Sequence, residues 1–272
     1  MSGDLDDRAE GTVAPPTPRV LVTGGGHGLG LAFTTGLVES GARVMICGRK
    51  EHHLDAAATQ LANAPGEIAT MIADVTDPRA VRAAVDAAGE RYGGIDVVIN
   101  NAGTAGPAGP TWQTDPSRWW RTIEVNLRGT ELVTRTVVPQ MIERGFGRIV
   151  NVTSNAGRTR WPTLSAYAVS KAAVDALTAN LEGELKGTGV IVVAYDPGLV
   201  EAGMTLAFQK SGPQTTAWGQ AAGSWAEKMR SAGRFTPLET AVDSLVRVVG
   251  GAADHRSGRH VTAAEIQDPP AC

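Results

Sequence analysis

Val20-Leu21-Val22-Thr23-Gly24-Gly25-Gly26-His27-Gly28-Leu29-Gly30 is the stretch on which the fold turns. A short apolar run without polar alternation suits a strand buried on both faces, and residues 31–39 continue in a helical pattern. Between the two, glycines permit a tight turn and let backbone N–H groups approach a phosphate, while the amino end of a helix favours negative charge. The spacing is G-x-x-x-G-x-G rather than the G-x-G-x-x-G of the common dinucleotide fingerprint. A glycine-rich turn without a ligand is the plain alternative; the strand before it and the helix after it weigh against that.

Further apolar runs extend the pattern: Val44-Met45-Ile46-Cys47, Ile68-Ala69-Thr70-Met71-Ile72, Val97-Val98-Ile99, Ile149-Val150-Asn151-Val152 and Val190-Ile191-Val192-Val193-Ala194. Helical stretches separate them, which predicts an α/β protein with a Rossmann-like, doubly wound parallel sheet of about seven strands and helices on both faces. Asp77-Pro78 and Asp115-Pro116 each place a capping carboxylate before a proline suited to the first helical position. Thr236-Pro237-Leu238-Glu239 reads as a capping box, and Ser40-Gly41 and Lys186-Gly187 as helix stops.

Residues 1–18, acidic and then Pro-rich, read as a disordered arm without the features of a secretory signal, and 19–272 as a single domain. Within it, 203–234 breaks the strand–helix rhythm and reads as a lid or substrate-binding segment, with a surface insertion of short helices as the alternative. The formal charge of -3, without a dense Lys/Arg block, offers nothing to nucleic acid or an anionic membrane. No apolar run approaches a membrane span, and the two cysteines, Cys47 and Cys272, make no disulfide framework. A cytoplasmic protein acting on a small molecule is the expectation.

Tyr167 and Lys171 lie four apart in an Ala- and Leu-rich helical stretch, 165–186, so they share a face. An ammonium there would stabilise phenolate and bring the Tyr towards working pH, as acid/base catalysis requires. Met alone, a Tyr-x-x-x-Lys pair is usually a packed ring beside an exposed amine. Ser154 follows the fifth strand, where parallel sheets expose residues to ligands, and its hydroxyl can hold a substrate oxygen beside the phenol. It is not in a G-x-S-x-G elbow, which argues against an esterase. His52-His53 and His255…His260 lack partners at metal spacing and read as surface residues, so no metal is expected.

From Arg19 to Val261 the chain resembles the short-chain dehydrogenase/reductase family of the single-domain type, whose loop reads T-G-x-x-x-G-x-G. Other markers follow in order: Asp74, Asn100-Asn101-Ala102-Gly103, Asn126, Ser154, Tyr167-Ala168-Val169-Ser170-Lys171 and Pro197-Gly198. The resemblance implies an oxidoreductase interconverting a ketone or aldehyde and an alcohol, with Asn126, Ser154, Tyr167 and Lys171 as catalytic residues. Tyr167 would be the general acid/base, and Asn126 would organise a water relay to Lys171. Cofactor contacts are implied for Thr23, Gly24, Gly26, His27, Gly28, Leu29, Gly30, Arg49, Asp74, Val75, Asn101, Ala102, Gly103, Tyr167, Lys171, Pro197, Gly198 and Val200.

Gly48 stands where NAD-specific relatives carry Asp, and Arg49 offers a planar fork to a phosphate, so NADP(H) is favoured over NAD(H). Solvated charges opening a helix are the alternative for Arg49 and Lys50. His27 adds little, because neutral imidazole is a weak counter-ion. Ala202 replaces the threonine expected four residues past Gly198, with Val200 or Thr205 to compensate. Substrate walls are expected from 104–112, 155–164 and 203–234, with Trp112, Trp161, Trp218 and Trp225 making them apolar. Arg158 and Arg160 are read as exposed charge, with a carboxylate or carrier-linked phosphate as the alternative partner. By resemblance, subunits would pair through helices at 127–144 and 165–186 as a homodimer or homotetramer. A non-redox nucleotide-binding protein and a dehydratase or epimerase remain as alternatives on the same fold.

Overall fold

The computed structural model describes residues 17–203 and 217–268, leaving aside the side chains of 217–222. The amino arm up to residue 16, residues 204–216 of the long segment, Thr205 among them, and Cys272 lie outside the described residues, as does the Trp218 side chain.

Seven strands run in parallel: β1 (Arg19–Thr23), β2 (Arg43–Gly48), β3 (Glu67–Ile72), β4 (Val97–Asn100), β5 (Gly147–Val152), β6 (Val190–Asp196) and β7 (His260–Thr262). Their order is β3-β2-β1-β4-β5-β6-β7. The six apolar runs became the first six strands in the expected places. The seventh, only three residues long, pairs Tyr195 with Val261. Between β1 and β4 the order reverses, and such a switch point opens a crevice at the carboxyl ends of the strands. The glycine loop follows one strand of that pair and Asn101-Ala102-Gly103 the other.

Alternation along β1 explains why the run is apolar throughout. Val20 and Val22 enter a core with Phe33 and Leu37 of α1 (Gly28–Glu39) and Leu245 and Val248 of α8 (Leu238–Val249). Leu21 enters the opposite core with Val81 and Val85 of α3 (Pro78–Tyr92) and Val133, Val137 and Met141 of α5 (Gly129–Arg144). Both faces of the strand are therefore buried, as a parallel sheet requires.

Most of the expected helix punctuation is present. Asp77 accepts from the Arg79 N–H at the start of α3, and Asp115 from the Arg118 N–H at the start of α4 (Pro116–Ile123). Gly41 and Gly187 adopt φ of 88° and 79°, the left-handed region that ends helices. Thr236 is a correction: it caps nothing. Its N–H donates to the Leu199 carbonyl and it forms a bridge with Val200, so α8 begins after Pro237 without a side-chain cap. The capping box lies instead at Thr262 and Glu265, opening α9 (Ala263–Gln267). The helix expected over 127–144 is longer on its amino side, because α4 runs through a π-helical turn, Glu124–Arg128, into α5. Other helices are α2 (Glu51–Gln60), α6 (Ser165–Leu185) and α7 (Ala217–Ser231). Among the described residues, no helix is long and apolar enough to cross a membrane.

Candidate active site

At the end of β1 the chain turns on glycine. Gly24 has φ of 66° and Gly28 of 57°, conformations that L side chains rarely adopt. The Thr23 hydroxyl accepts from the N–H groups of Asn101 and Ala102, both at 3.0 Å, and the Asn101 amide donates to the Thr23 carbonyl at 2.9 Å. These bonds lock the two crevice-forming loops together. Thr23, buried in the protein, therefore acts through the frame of the cleft. A Cβ on Gly30 would lie 2.1 Å from the Gly24 carbonyl oxygen and 2.5 Å from Asn101 Nδ2, so the backbone cradle exists only with glycine there. Gly30→Ala is expected to weaken nicotinamide cofactor binding roughly 10- to 100-fold, as an overpacking strain of about 1–3 kcal/mol would. Titration of cofactor fluorescence against the variant measures it; unchanged affinity with an intact fold counts against this role of the loop.

Two adjoining cavities share Gly24, His27, Ala102 and Gly103. One brings the loop residues Gly28, Leu29 and Gly30 together with Asn101, Ser154, Tyr167, Lys171, Pro197, Gly198 and Val200. The other is lined by Gly26, Gly48, Arg49, Lys50, Asp74 and Val75, and contains His53 and Leu54 as well. His53, read as a surface residue, is partly exposed at the edge of this cavity: one turn into α2, its ring stacks on His27 with centroids 5.0 Å apart. The sequence signal for this was the phase of a helix starting at Glu51, which turns His53 and Leu54 inward. Burial, then the charges of Lys50 and Arg49, hold the His27 imidazolium below its ordinary range. His27 is thus neutral at pH 7, and the positive potential of this cavity comes from Arg49 and Lys50.

Asp74 is occupied by protein groups. Its Oδ1 accepts from the Thr76 N–H and hydroxyl, and its Oδ2 pairs with Arg121 at 2.9 Å. The partner on α4 carried no sequence signal, since it comes from a helix 47 residues on.

Val152 ends β5, and Ser154 follows it, opening the short helix Asn155–Gly157. α6 then presents Tyr167 and Lys171 to the same cleft. Lys171 is buried, its Nζ donating to the Val152 carbonyl at 2.7 Å and lying 5.8 Å from the centre of the Tyr167 ring. Burial pushes the Tyr167 phenol up to about 12, opposed by its hydrogen bond with Ser154 and reinforced by the Asp196 charge. Burial pushes Lys171 down to about 8 against the pull of Asp175 and Asp196. In the protein alone the expected lowering of the phenol by the ammonium does not occur: desolvation dominates, and Lys171 donates to the Val152 carbonyl.

Asn126 is also buried and does not line the cleft. Its Oδ1 accepts from the Thr104 N–H at 2.8 Å, while its amide donates to the Thr104 carbonyl and to Ser170 Oγ, both at 2.9 Å. The side chain fixes the loop after β4 against α6. Its backbone lies in the π-helical turn, where its carbonyl accepts from Thr130 Oγ1.

Beyond Ser154 an outer groove is lined by Trp161, Trp225 and Met229, with the rings of Trp161 and Trp225 in an edge-to-face contact at 4.8 Å. These two rings line the groove, but the apolar cavity expected there is corrected: Arg158, Arg234, Arg256, Arg259 and Glu265 line it as well. Trp112, expected in the same wall, is 84 % exposed, on a loop tied to α6 by the Thr111–Ser165 hydroxyl bond. Arg158 lines the groove and Arg160 is exposed. Ala202 lines the cleft beside Gly203, its N–H donating to the Val200 carbonyl.

A parallel sheet with a glycine turn at its switch point, and a Ser, Tyr and Lys converging beside it, is the arrangement of a dinucleotide-dependent enzyme. The short chain dehydrogenase family model matches residues 18–211, and the chain belongs to that family of oxidoreductases. It is 37% identical over 185 residues to the short chain dehydrogenase pigC of Monascus ruber, a match covering 66% of this chain but only 61% of that protein's length. Among solved structures, levodione reductase superposes with a TM-score of 0.82 at 28% identity, covering 93% of this chain and 99% of that one. An actinorhodin polyketide ketoreductase variant with NADPH gives 0.81 at 30% identity, covering 92% and 97%. NAD+-bound xylitol dehydrogenase gives 0.79 at 26% identity, covering 89% and 96%.

Proposed function

We propose that this chain is an NADP(H)-dependent oxidoreductase that interconverts a ketone or aldehyde and the corresponding alcohol, acting in the cell as a reductase. The observation that carries the reading is the convergence of Ser154, Tyr167 and Lys171 on the cleft that contains the glycine loop. The loop around Gly24, Gly28 and Gly30 suits a dinucleotide: a Cβ at Gly28 or Gly30 would meet protein backbone at 2.8 or 2.1 Å, so glycine lets the turn close at the amino end of α1, where N–H groups favour phosphate. A bound nicotinamide would supply or take up the hydride.

The remaining tasks fall to this chain. Ser154 holds the substrate oxygen within reach of the Tyr167 hydroxyl, which donates its proton to that oxygen in reduction and removes it in oxidation. Held up to about 12, the phenol is protonated throughout the neutral range, which suits it to act as the acid. Lys171, held by the Val152 carbonyl, keeps a positive charge near the ring and would contact the ribose of a bound nicotinamide. Asn126 keeps the loop after β4 in place. The Trp161–Trp225 side of the outer groove suits a substrate ring or acyl chain, set among charged groups. Residues 203–234 would act as a substrate-binding or lid segment, 19–272 as one domain, and the protein as a cytoplasmic homodimer or homotetramer paired through α5 and α6.

Absorbance of reduced nicotinamide followed against a panel of ketones and alcohols tests the reading. Net cofactor consumption is expected; its absence with every panel member would favour a binding protein, a dehydratase or an epimerase. For the cofactor, Arg49 and Lys50 line the cavity where an acidic residue would repel a 2'-phosphate. NADPH is expected to bind at least about tenfold more tightly than NADH, in keeping with a charge-assisted contact of about 1.5–3 kcal/mol. Arg49→Asp should erase or reverse the difference, and equal affinities in the unmodified protein would overturn the assignment.

A further inference from the structure

His260, the first residue of β7, sits between two carboxylates: Nδ1 is 3.1 Å from Asp175 Oδ2 on α6, and Nε2 is 3.5 Å from Asp196 Oδ2 at the end of β6. The side chains of His260, Asp175 and Asp196 are 9, 17 and 5 % exposed, so water screens them little. This corrects the reading of His260 as a surface residue; the carboxylates that enclose it are distant in sequence.

Neutral imidazole carries one N–H. It could donate to one of these carboxylates but would turn a lone pair towards the other, whereas imidazolium donates on both sides. Beside an uncharged ring, the two enclosed carboxylates would set two negative charges against the one Lys171 ammonium. Both carboxylates are fixed from the reaction cleft. Asp175 Oδ1 accepts from the Thr153 hydroxyl at 2.6 Å, and Asp196 Oδ1 from the Gly198 N–H at 2.8 Å. Asp175 lies one helical turn past Lys171 on α6. Both carboxylates favour the Lys171 ammonium, and Asp196 opposes ionisation of Tyr167.

We propose that His260 is a positioning residue of the reaction site: as an imidazolium between Asp175 and Asp196 it cancels part of their charge and so sets the protonation balance of Lys171 beside Tyr167. The inference rests on Tyr167 being the proton-transfer group. Burial alone would lower the imidazolium, but hydrogen bonds and charge from Asp175 and Asp196 outweigh it and raise His260 to about 9. The ring is therefore charged across neutral pH. Other charged groups around it are Arg256 and Arg259 preceding β7, Glu265 on α9, and Arg158 and Arg234 across the outer groove. Glu265 is paired with Arg256 at 3.2 Å, and Arg158, Arg234 and Arg259 are exposed and screened.

Two measurements test this. Ring 15N NMR of the unmodified protein at pH 7.5 should show both His260 nitrogens protonated; a neutral tautomer overturns the proposal, and no variant is needed to see it. The second is the ionisation midpoint of the Lys171 amine, followed by NMR of 15N-labelled lysine; it lies near 8, where His260, at about 9, is still charged. His260→Gln removes a positive charge, so this midpoint should move up by roughly 0.5–1 pH unit, a three- to tenfold change in the Lys171 protonation equilibrium. Asp175→Asn removes a negative charge and should move the midpoint down by a similar amount. A residue that only holds β7 in place would shift both variants alike or neither. Coincident midpoints, or shifts of one sign, in variants that still bind cofactor therefore overturn the proposal. Absence of any nicotinamide turnover in the unmodified protein would instead count against the oxidoreductase reading, and the NMR result would still decide the state of His260.

Discussion

Tyr167→Phe is expected to lower turnover by about 10³-fold while leaving cofactor affinity nearly unchanged. The substitution removes one oxygen and keeps the ring, so the packing of α6 against the cleft is retained, and with it Lys171 on the Val152 carbonyl. What disappears is the proton that must reach the substrate oxygen. The loss should therefore fall on kcat rather than KM, which steady-state kinetics with cofactor titration separates. The pH profile gives a second check. In reduction the protonated phenol is the working form, so activity should hold across neutral pH and fall only as the medium approaches the phenol's ionisation, held up towards about 12. Oxidation should show the opposite slope, rising with pH. A variant retaining a tenth or more of the turnover would mean that water or Ser154 delivers the proton.

Asp254→Ala is expected to destabilise the fold by about 3 kcal/mol, for a reason unrelated to the chemistry. Arg148 on β5 is 3 % exposed. Its Nε and Nη2 reach the two oxygens of Asp254 at 2.7 and 2.5 Å, and Phe146 lies 5.1 Å from its guanidinium carbon. Removing the carboxylate leaves a buried cation with one long bond to the Val249 carbonyl, at 3.4 Å. Asp254 itself is 27 % exposed, so entering water restores part of the loss and keeps the figure near the lower end for a broken buried pair. Urea denaturation measures it. Adding Arg148→Met to Asp254→Ala should recover much of the stability, because the uncompensated charge goes with the guanidinium. A double variant no more stable than the single one would show that packing around Asp254, and not the orphaned charge, sets the cost.

Local patterning carried most of the frame. The six apolar runs are continuous because each strand is buried on both faces, and Asp77 and Asp115 cap helices because the carboxylate and the N–H it accepts from lie within three residues of each other. Thr236 carried the same kind of signal and misled, since a tertiary bridge to Val200 claimed its backbone first. Trp112 and Trp161 are alike as letters, yet one is 84 % exposed and the other packs on Trp225. Nothing within a few residues of either decides that.

The sequence by itself determined the glycine turn, the parallel sheet, and the shared face of Tyr167 and Lys171, because each depends on backbone conformation and on the period of a helix or strand. Tertiary structure alone decided the electrostatics. Asp74 meets Arg121, Arg148 meets Asp254, and His260 meets Asp175 and Asp196 only after the strands are aligned, across separations of 47 to 106 residues. Whether a side chain is charged, and what that charge acts on, depends on burial and on neighbours brought in from such distances, which spacing along the chain does not encode.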